Sequence, residues 1–239
     1  MTEQTDFIIR RKLSDEVFDR LKALITAGEL QPGDAMPSER ELMERFGVGR
    51  PAIREAMQQL SNLGLLTISH GERAKVRRPT AQSLLKQLDA VAQMMLSASP
   101  ASLEHLKQAR RFFERGMVRE AAQRATKRDI AELSAAIARQ RERVHEPEAF
   151  ITADMRFHNR IAAITGNPLY EAVSEAMLGW LKVYHTEVLI WSGNENVTLT
   201  EHEEILRCIA AGDPDAADDA MARHLDRSAR LYAHHPAEP

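Results

Sequence analysis

Apolar residues recur along this chain at helical spacing far more often than they alternate, so the pattern predicts helices interrupted by one short β element. Val17, Leu21, Leu24 and Ile25 share one helical face, with Ser14 placed to cap that helix and Gly28 to end it. Gln31-Pro32-Gly33-Asp34 then spells a turn. Ser38 followed three residues later by Glu41 is the capping-box arrangement, in which each side chain satisfies a backbone donor at a helix start. Leu42 and Phe46 give that helix its apolar stripe, and Gly47 breaks it. The next helix opens at Gly49-Arg50-Pro51 and buries Ile53, Ala56, Met57 and Leu60, which leaves Arg50 and Arg54 together on another face. Two short strands, 65–69 and 74–78, flank His70-Gly71-Glu72, where glycine permits a tight hairpin. Three helices and a hairpin predict a winged helix-turn-helix over residues 13–78.

Beyond it no strand pattern returns. Helices are expected at 81–97, 101–124, 127–144, 148–164, 168–191, 200–211 and 214–232, with starts marked by Thr80, Thr126, Asn167-Pro168 and Asp213-Pro214. The expected organisation is a flexible basic arm at 1–12, the winged domain at 13–78, a linker at 79–80, an all-helical bundle at 81–232 and a tail at 233–239. The fold class is therefore mainly α, and the bundle is long enough to bury its own core.

Composition changes this picture in three places. Aromatic content is 5% and hydrophobic content 44%, which suits helices packed through Leu, Ile, Ala and Met. A net charge of −3 does not favour a nucleic-acid binder as a whole, but placement does: the first 80 residues carry 13 basic against 12 acidic side chains, the remainder 19 against 23. The single cysteine, Cys208, excludes internal disulfides and fits a reducing, cytoplasmic setting, and no apolar run approaches the roughly 18 residues of a membrane span.

The chemistry of the winged domain points to double-stranded DNA. Arg50 and Arg54 can present forked donors to guanine or to phosphate in the major groove, Arg40 is placed for backbone phosphates, and His70 and Gly71 at the wing tip for the minor groove or backbone. Each arginine taken singly could equally be a solvated helix side chain. Taken together, the residues carry a resemblance. Pro37-Ser38-Glu39-Arg40, Gly47-Val48 and Arg54-Glu55-Ala56 resemble the DNA-binding domain of the GntR family, and Thr67-Ile68-Ser69-His70-Gly71 resembles the wing of its FadR branch. That resemblance implies DNA contact by the matched arginines and the wing glycine. One departure is Gly49, where the family carries Ser or Thr, so a hydroxyl contact to phosphate is missing.

In the bundle, polar residues interrupt apolar stripes. Asp154 and His158 share the face of Phe150, Phe157 and Ile161; His202 belongs with Ile205, Leu206 and Ile209; His224 belongs with Met221, Leu225 and Ser228. Inward polar groups need partners. Hydrogen bonds or a salt bridge would serve, and so would a divalent metal, since imidazoles with one carboxylate suit Zn²⁺, Ni²⁺ or Mn²⁺. The second domain resembles the FCD domain of FadR-type regulators, which implies Asp154, His158, His202 and His224 as metal ligands. His105, His145, His185, His234 and His235 fall outside that set. Arg110 lies on the inward stripe of Leu103, Leu106, Phe113 and Met117, where its anion is either an internal carboxylate such as Glu114 or an effector. The resemblance implies the effector's carboxylate. Trp180 and Tyr184 are either cavity-lining or core residues.

These readings converge on a transcription regulator, expected to be a repressor and a homodimer, that binds operator DNA under control of a small organic acid held near the metal, most simply Zn²⁺. Two alternatives stand beside it: a metal-dependent enzyme acting on a carboxylate, against which no general base is evident, and a metal-free acyl-CoA-responsive regulator. Gly71 to Val76, Phe112-Phe113-Glu114 and Gly166-Asn167-Pro168 resemble the sialic-acid regulators of the family, so sialic acid joins sugar acids, hydroxy acids and dicarboxylates as expected effectors.

Overall fold

A computed structural model describes residues 11–69, 71–182 and 195–231, and the chain divides into two compact units, Met1–Leu84 and Leu85–Pro239. Eleven α-helices and one two-stranded sheet are found among the described residues.

The first unit holds α1 (Leu13–Thr26), α2 (Glu39–Phe46), α3 (Arg50–Asn62), β1 (Leu66–Thr67) and β2 (Lys75–Val76). Its core is the set of stripes expected from periodicity: Val17 and Leu21 from α1, Leu42 from α2, and Ile53, Ala56 and Leu60 from α3 close over Leu66 and Val76 of the hairpin. Each of the Val, Leu and Ile side chains fully removed from water contributes roughly 1.5–3 kcal/mol. Two expectations need correction here. Ser14 does not cap α1: Lys12 occupies the cap position without a side-chain bond, so Ser14 falls in the first turn. Sharing the face of Val17 and Leu21, it is 3% exposed, and its hydroxyl has no partner. The strands are also shorter than 65–69 and 74–78, pairing antiparallel only at Leu66 with Val76 and Thr67 with Lys75. The stretch after the Gln31 turn supplies the missing pairing. Ala35 bridges to Lys75, and the amides of Gly33 and Met36 donate to Val76 and Ala74 at 2.9 and 2.7 Å.

From the end of the first unit onward the chain is helical: α4 (Ala81–Lys86), α5 (Asp89–Ser97), α6 (Pro100–Arg124), α7 (Lys127–Arg141), α8 (Pro147–Ile164), α9 (Pro168–Lys182), α10 (Glu195–Ala211) and α11 (Pro214–Ser228), closed by a 3₁₀ turn at Ala229–Leu231. Start signals act as expected. Thr126 and Asp129 form a reciprocal capping box, and Asp213 accepts the amides of Asp215 and Ala216 at 3.1 and 3.0 Å. The expected single helix at 81–97 is two, since the chain turns at Gln87-Leu88 between α4 and α5. The expected extension from 183 to 191 lies outside the described residues. The core gathers Val118 of α6, Leu133 and Ile137 of α7, Phe157 and Ile161 of α8, Ile205 and Ile209 of α10 and Met221 of α11. Those five helices frame the polar cluster described next. None of the described helices is long and apolar enough to cross a membrane.

Candidate DNA-reading helix and metal centre

In the first unit α2 and α3 place the reading candidates. Ser38 Oγ accepts the amide of Glu41 at 3.2 Å while the Glu41 carboxylate accepts the amide of Ser38 at 2.6 Å, which fixes the start of α2. The Ser38 hydroxyl and amide bonds hold the Glu41 carboxyl below its ordinary value. Arg40 projects from the first turn into solvent, paired loosely with Glu44 at 3.3 Å. Gly47 adopts a φ of +66°, a left-handed conformation that lets the chain reverse into α3. Gly49 caps α3 without a side-chain bond, and Pro51 sits at the second helical position, where a missing N–H also has no intrahelical partner. Arg50 and Arg54 are 60% and 65% exposed, and both direct Nε at the Glu39 carboxylate, at 3.5 and 2.8 Å. Gly71 is exposed with φ +79°, whereas His70 lies outside the described residues. Glu39 was not singled out by periodicity; the reversal at Gly47 brings it to arginines up to 15 positions away.

In the second unit Asp154, His158, His202 and His224 come together, each offering one ligand atom, and these atoms lie within 4.8 Å of one another. The three imidazoles are 2% exposed or less. His158 Nε2 and His224 Nε2 stand 3.2 Å apart, His202 Nε2 is 3.4 Å from Asp154 Oδ1, and His158 Nε2 is 3.7 Å from Asp154 Oδ2. Donors each about 2.1 Å from one cation stand roughly 3–4 Å apart, so the set has the spacing of a ligand sphere.

Side chains behind the histidines decide how they are protonated. His224 Nδ1 faces Glu201 Oε2 at 2.7 Å, His202 Nδ1 faces Gln140 Oε1 at 2.8 Å, and His158 Nδ1 is in direct contact with Glu114 Oε2. Gln140 Nε2 donates to Asp154 Oδ1 at 3.1 Å, which fixes the amide so that its oxygen is the atom turned to His202. Arg227 holds Glu201 through two bonds of 2.6 Å, and Arg110 Nε holds Glu114 Oε1 at 2.5 Å. Burial opposes charge on Glu114, yet Arg110 and His158 hold its carboxyl at about 2. Burial likewise opposes charge on Glu201, but the bonds from His224 and Arg227 outweigh it. With an acceptor behind every Nδ1, the Nδ1 atoms carry the protons and each Nε2 turns a lone pair inward. His202 Nε2 is accordingly buried with no hydrogen-bond partner, and Phe157, stacked 4.1 Å from its ring, holds the imidazole in place. Burial lowers the pKa of both His202 and His224, so these rings stay neutral at neutral pH. Burial opposes charge on Asp154 as well, yet its carboxyl stays far below its usual range, and with the rings neutral the attractions that persist are those of Arg110 and the Gln140 amide. Inward lone pairs facing an anionic carboxylate repel one another, and a cation among them removes the repulsion. The residues therefore fit a divalent metal.

For Arg110, the sequence left two partners open, and Glu114 occupies its Nε side. Trp180 packs with Leu103, Leu106 and Leu181 and donates to Asp89 at 2.9 Å, a core role, while Tyr184 lies outside the described residues. Gln140 and Glu114 were legible as polar positions on apolar stripes. Glu201, half-buried and beside a ligand in sequence, carried no such signal.

Comparison with known proteins decides the family. Residues 13–76 match the gntR family of bacterial regulatory proteins, and residues 105–227 match the FCD domain. The HTH-type transcriptional repressor NanR of Klebsiella aerogenes is 41% identical over 223 residues, spanning 91% of this chain and 84% of that protein. The chain belongs to the GntR family. This GntR protein is also 39% identical to the NanR repressors of Edwardsiella tarda and of Escherichia coli K12, over 92% of its length and 85% and 84% of theirs. A Streptococcus agalactiae GntR structure superposes with a TM-score of 0.62 at 24% identity, covering 91% of this chain and 99% of that one. Escherichia coli McbR/YncC gives 0.52 at 16%, over 93% and 97%, and both likenesses establish fold alone. The GntR protein is thus a DNA-binding transcription regulator with an FCD domain. Its relatives are regulators, not enzymes, which removes the carboxylate-processing alternative.

Proposed function

We propose that this GntR regulator is a repressor that holds a divalent metal on Asp154, His158, His202 and His224, senses a small organic acid at that centre, and binds a two-fold operator as a homodimer. The observation that carries the reading is the triple lock on the histidines: Glu114, Gln140 and Glu201 fix all three Nδ1 atoms and commit all three Nε2 atoms to one point. Repression follows the name of the relatives, which are transcriptional repressors over nearly the whole chain. When bound, the metal supplies a Lewis-acidic centre for a carboxylate or hydroxyl oxygen. Arg110 is the chain's own anion-binding group there. Its Nε is held by Glu114, which fixes the plane of the guanidinium, and Glu114 in turn touches the ligand His158, so arginine and metal site are joined through one carboxylate. The motif likeness to sialic-acid regulators sets sialic acid beside sugar acids, hydroxy acids and dicarboxylates as a candidate effector.

On the DNA side, Arg50 and Arg54 are the base or phosphate readers and Arg40 and Gly71 backbone contacts. A helix-turn-helix monomer reads only a few base pairs, so useful affinity requires two copies on a symmetric site. The acid switches binding only by the difference in its affinity for DNA-competent and incompetent arrangements. The deciding experiment measures operator affinity by fluorescence anisotropy at fixed salt, with and without each acid, in metal-loaded and chelator-treated protein. The expected result is an acid that weakens operator binding only when metal is present. An undiminished response after complete chelation would sink the metal-dependent reading.

A further inference from the structure

The outer face of α6 carries a feature for which neither metal nor DNA binding has a use. Gln108, Phe112, Gly116 and Glu120 recur at every fourth position of this 25-residue helix and form one ridge. Phe112 is 77% exposed, and its ring is braced edge-to-face against Phe113 at 5.6 Å, so it stands as a fixed apolar knob. Gly116, one turn later, is exposed in mid-helix, where glycine is disfavoured relative to alanine. A Cβ built on it meets no atom within 4 Å, so nothing in this chain requires the glycine. Knob and bare backbone share a depression of about 620 Å³ walled by Tyr170 of α9 and Asp218 of α11.

We propose that this ridge receives a second copy of the same chain. Two α6 helices crossing antiparallel, about a two-fold axis at the level of Glu114, place Phe112 of each copy over the partner's Gly116. The same operation sets Gln108 against the partner's Glu120, an amide donor against a carboxylate. A ridge of i±4 residues meeting its own copy is the commonest helix packing class, and a two-fold contact must be self-complementary in this way. Charge permits the approach. Arg111, Arg115 and Arg119, flanking the ridge, are already bound to Asp226, Asp218 and Asp215 at 2.6, 2.5 and 2.7 Å, so two copies do not bring bare cations together.

The inference rests on the homodimer reading, and the test separates the two. Sedimentation equilibrium on the full, metal-loaded chain gives the dimer dissociation constant for wild type, Phe112→Ala and Gly116→Leu. Each variant is expected to raise it by about tenfold or more, the effect of losing a well-packed aromatic anchor, with helicity and metal content unchanged. The double variant Phe112→Cys/Gly116→Cys is expected to become a covalent dimer on oxidation while neither single cysteine variant does, since the native Cys208 is buried. A dimeric wild type with two indifferent single variants, or no cross-link in the double variant, overturns this interface while leaving dimerisation standing. A wild type that stays monomeric at tens of micromolar concentration overturns both.

Discussion

At the scale of single residues, the two halves of the molecule set opposite tasks for polar side chains. Arg50 and Arg54 are kept in water, where their charge can be handed to DNA. Arg54→Ala is expected to weaken operator binding by roughly 1–3 kcal/mol, the value of one forked base contact, at constant salt. Metal content should not change, and an operator affinity equal to wild type would show that the reading face is misassigned. Gln140, by contrast, is fully buried and satisfied on both sides, its oxygen by His202 and its nitrogen by Asp154. Gln140→Leu keeps the volume and removes both bonds. Metal affinity, read by competition with a coloured chelator, should fall about 10–100-fold, the usual cost of losing a group that orients a ligand. Retention of wild-type affinity would mean that packing against Phe157 alone orients His202.

At the scale of elements, α6 and α11 are joined by Arg111 with Asp226 and Arg115 with Asp218, and the hydrogen bonds from those arginines hold both carboxyls below their ordinary value of 3.8. A depressed carboxylate stabilises the fold fully above its unfolded pKa and loses that contribution as pH falls through the folded one. The Arg111–Asp226 pair is exposed, which keeps its share small, whereas Arg115–Asp218 is part-buried and screened less. The histidines act earlier. Burial depresses His202 and His224 below 6.5, so in metal-free protein the unfolded chain takes up protons first as pH drops below that value. Urea unfolding of chelated protein should therefore show lower stability at pH 5.5 than at pH 7.5, and the reverse order would contradict neutral buried rings. Elements also show how much was legible beforehand. Ser38 with Glu41, and Asp154 with His158, could be read because each is a local device whose partners lie within one helical turn. The break at Gln87-Leu88, the bridge from Ala35 to Lys75 and the failure of Ser14 to cap are set by packing against distant segments, which periodicity does not carry. Glu201 belongs with these, since its partners His224 and Arg227 lie on another helix.

At the scale of the whole molecule, the proposed effector and the operator would be linked through one free energy of coupling. If the acid weakens operator binding by some factor, operator DNA must weaken acid binding by the same factor. Titrating the effector into metal-loaded protein by calorimetry, with and without saturating operator, is expected to return that factor. Unequal factors would indicate that the acid acts on a species other than the DNA-bound regulator.

Glu39 gives the reading helix a built-in competitor. Because both arginines lean on its carboxylate, any phosphate they meet must displace an anion already in place, and random sequence offers nothing but phosphate in return. A cognate site offers base edges as well. If Arg50 and Arg54 read DNA as proposed, the acidic residue is expected to shorten dwell time on random sequence and to favour release over sliding during the search for a target. Glu39→Gln is expected to tighten binding to random duplex more than to operator, narrowing the specificity ratio in a salt-matched assay and slowing exchange between sites. An equal gain on both DNAs would show that Glu39 only lowers the overall field of the helix.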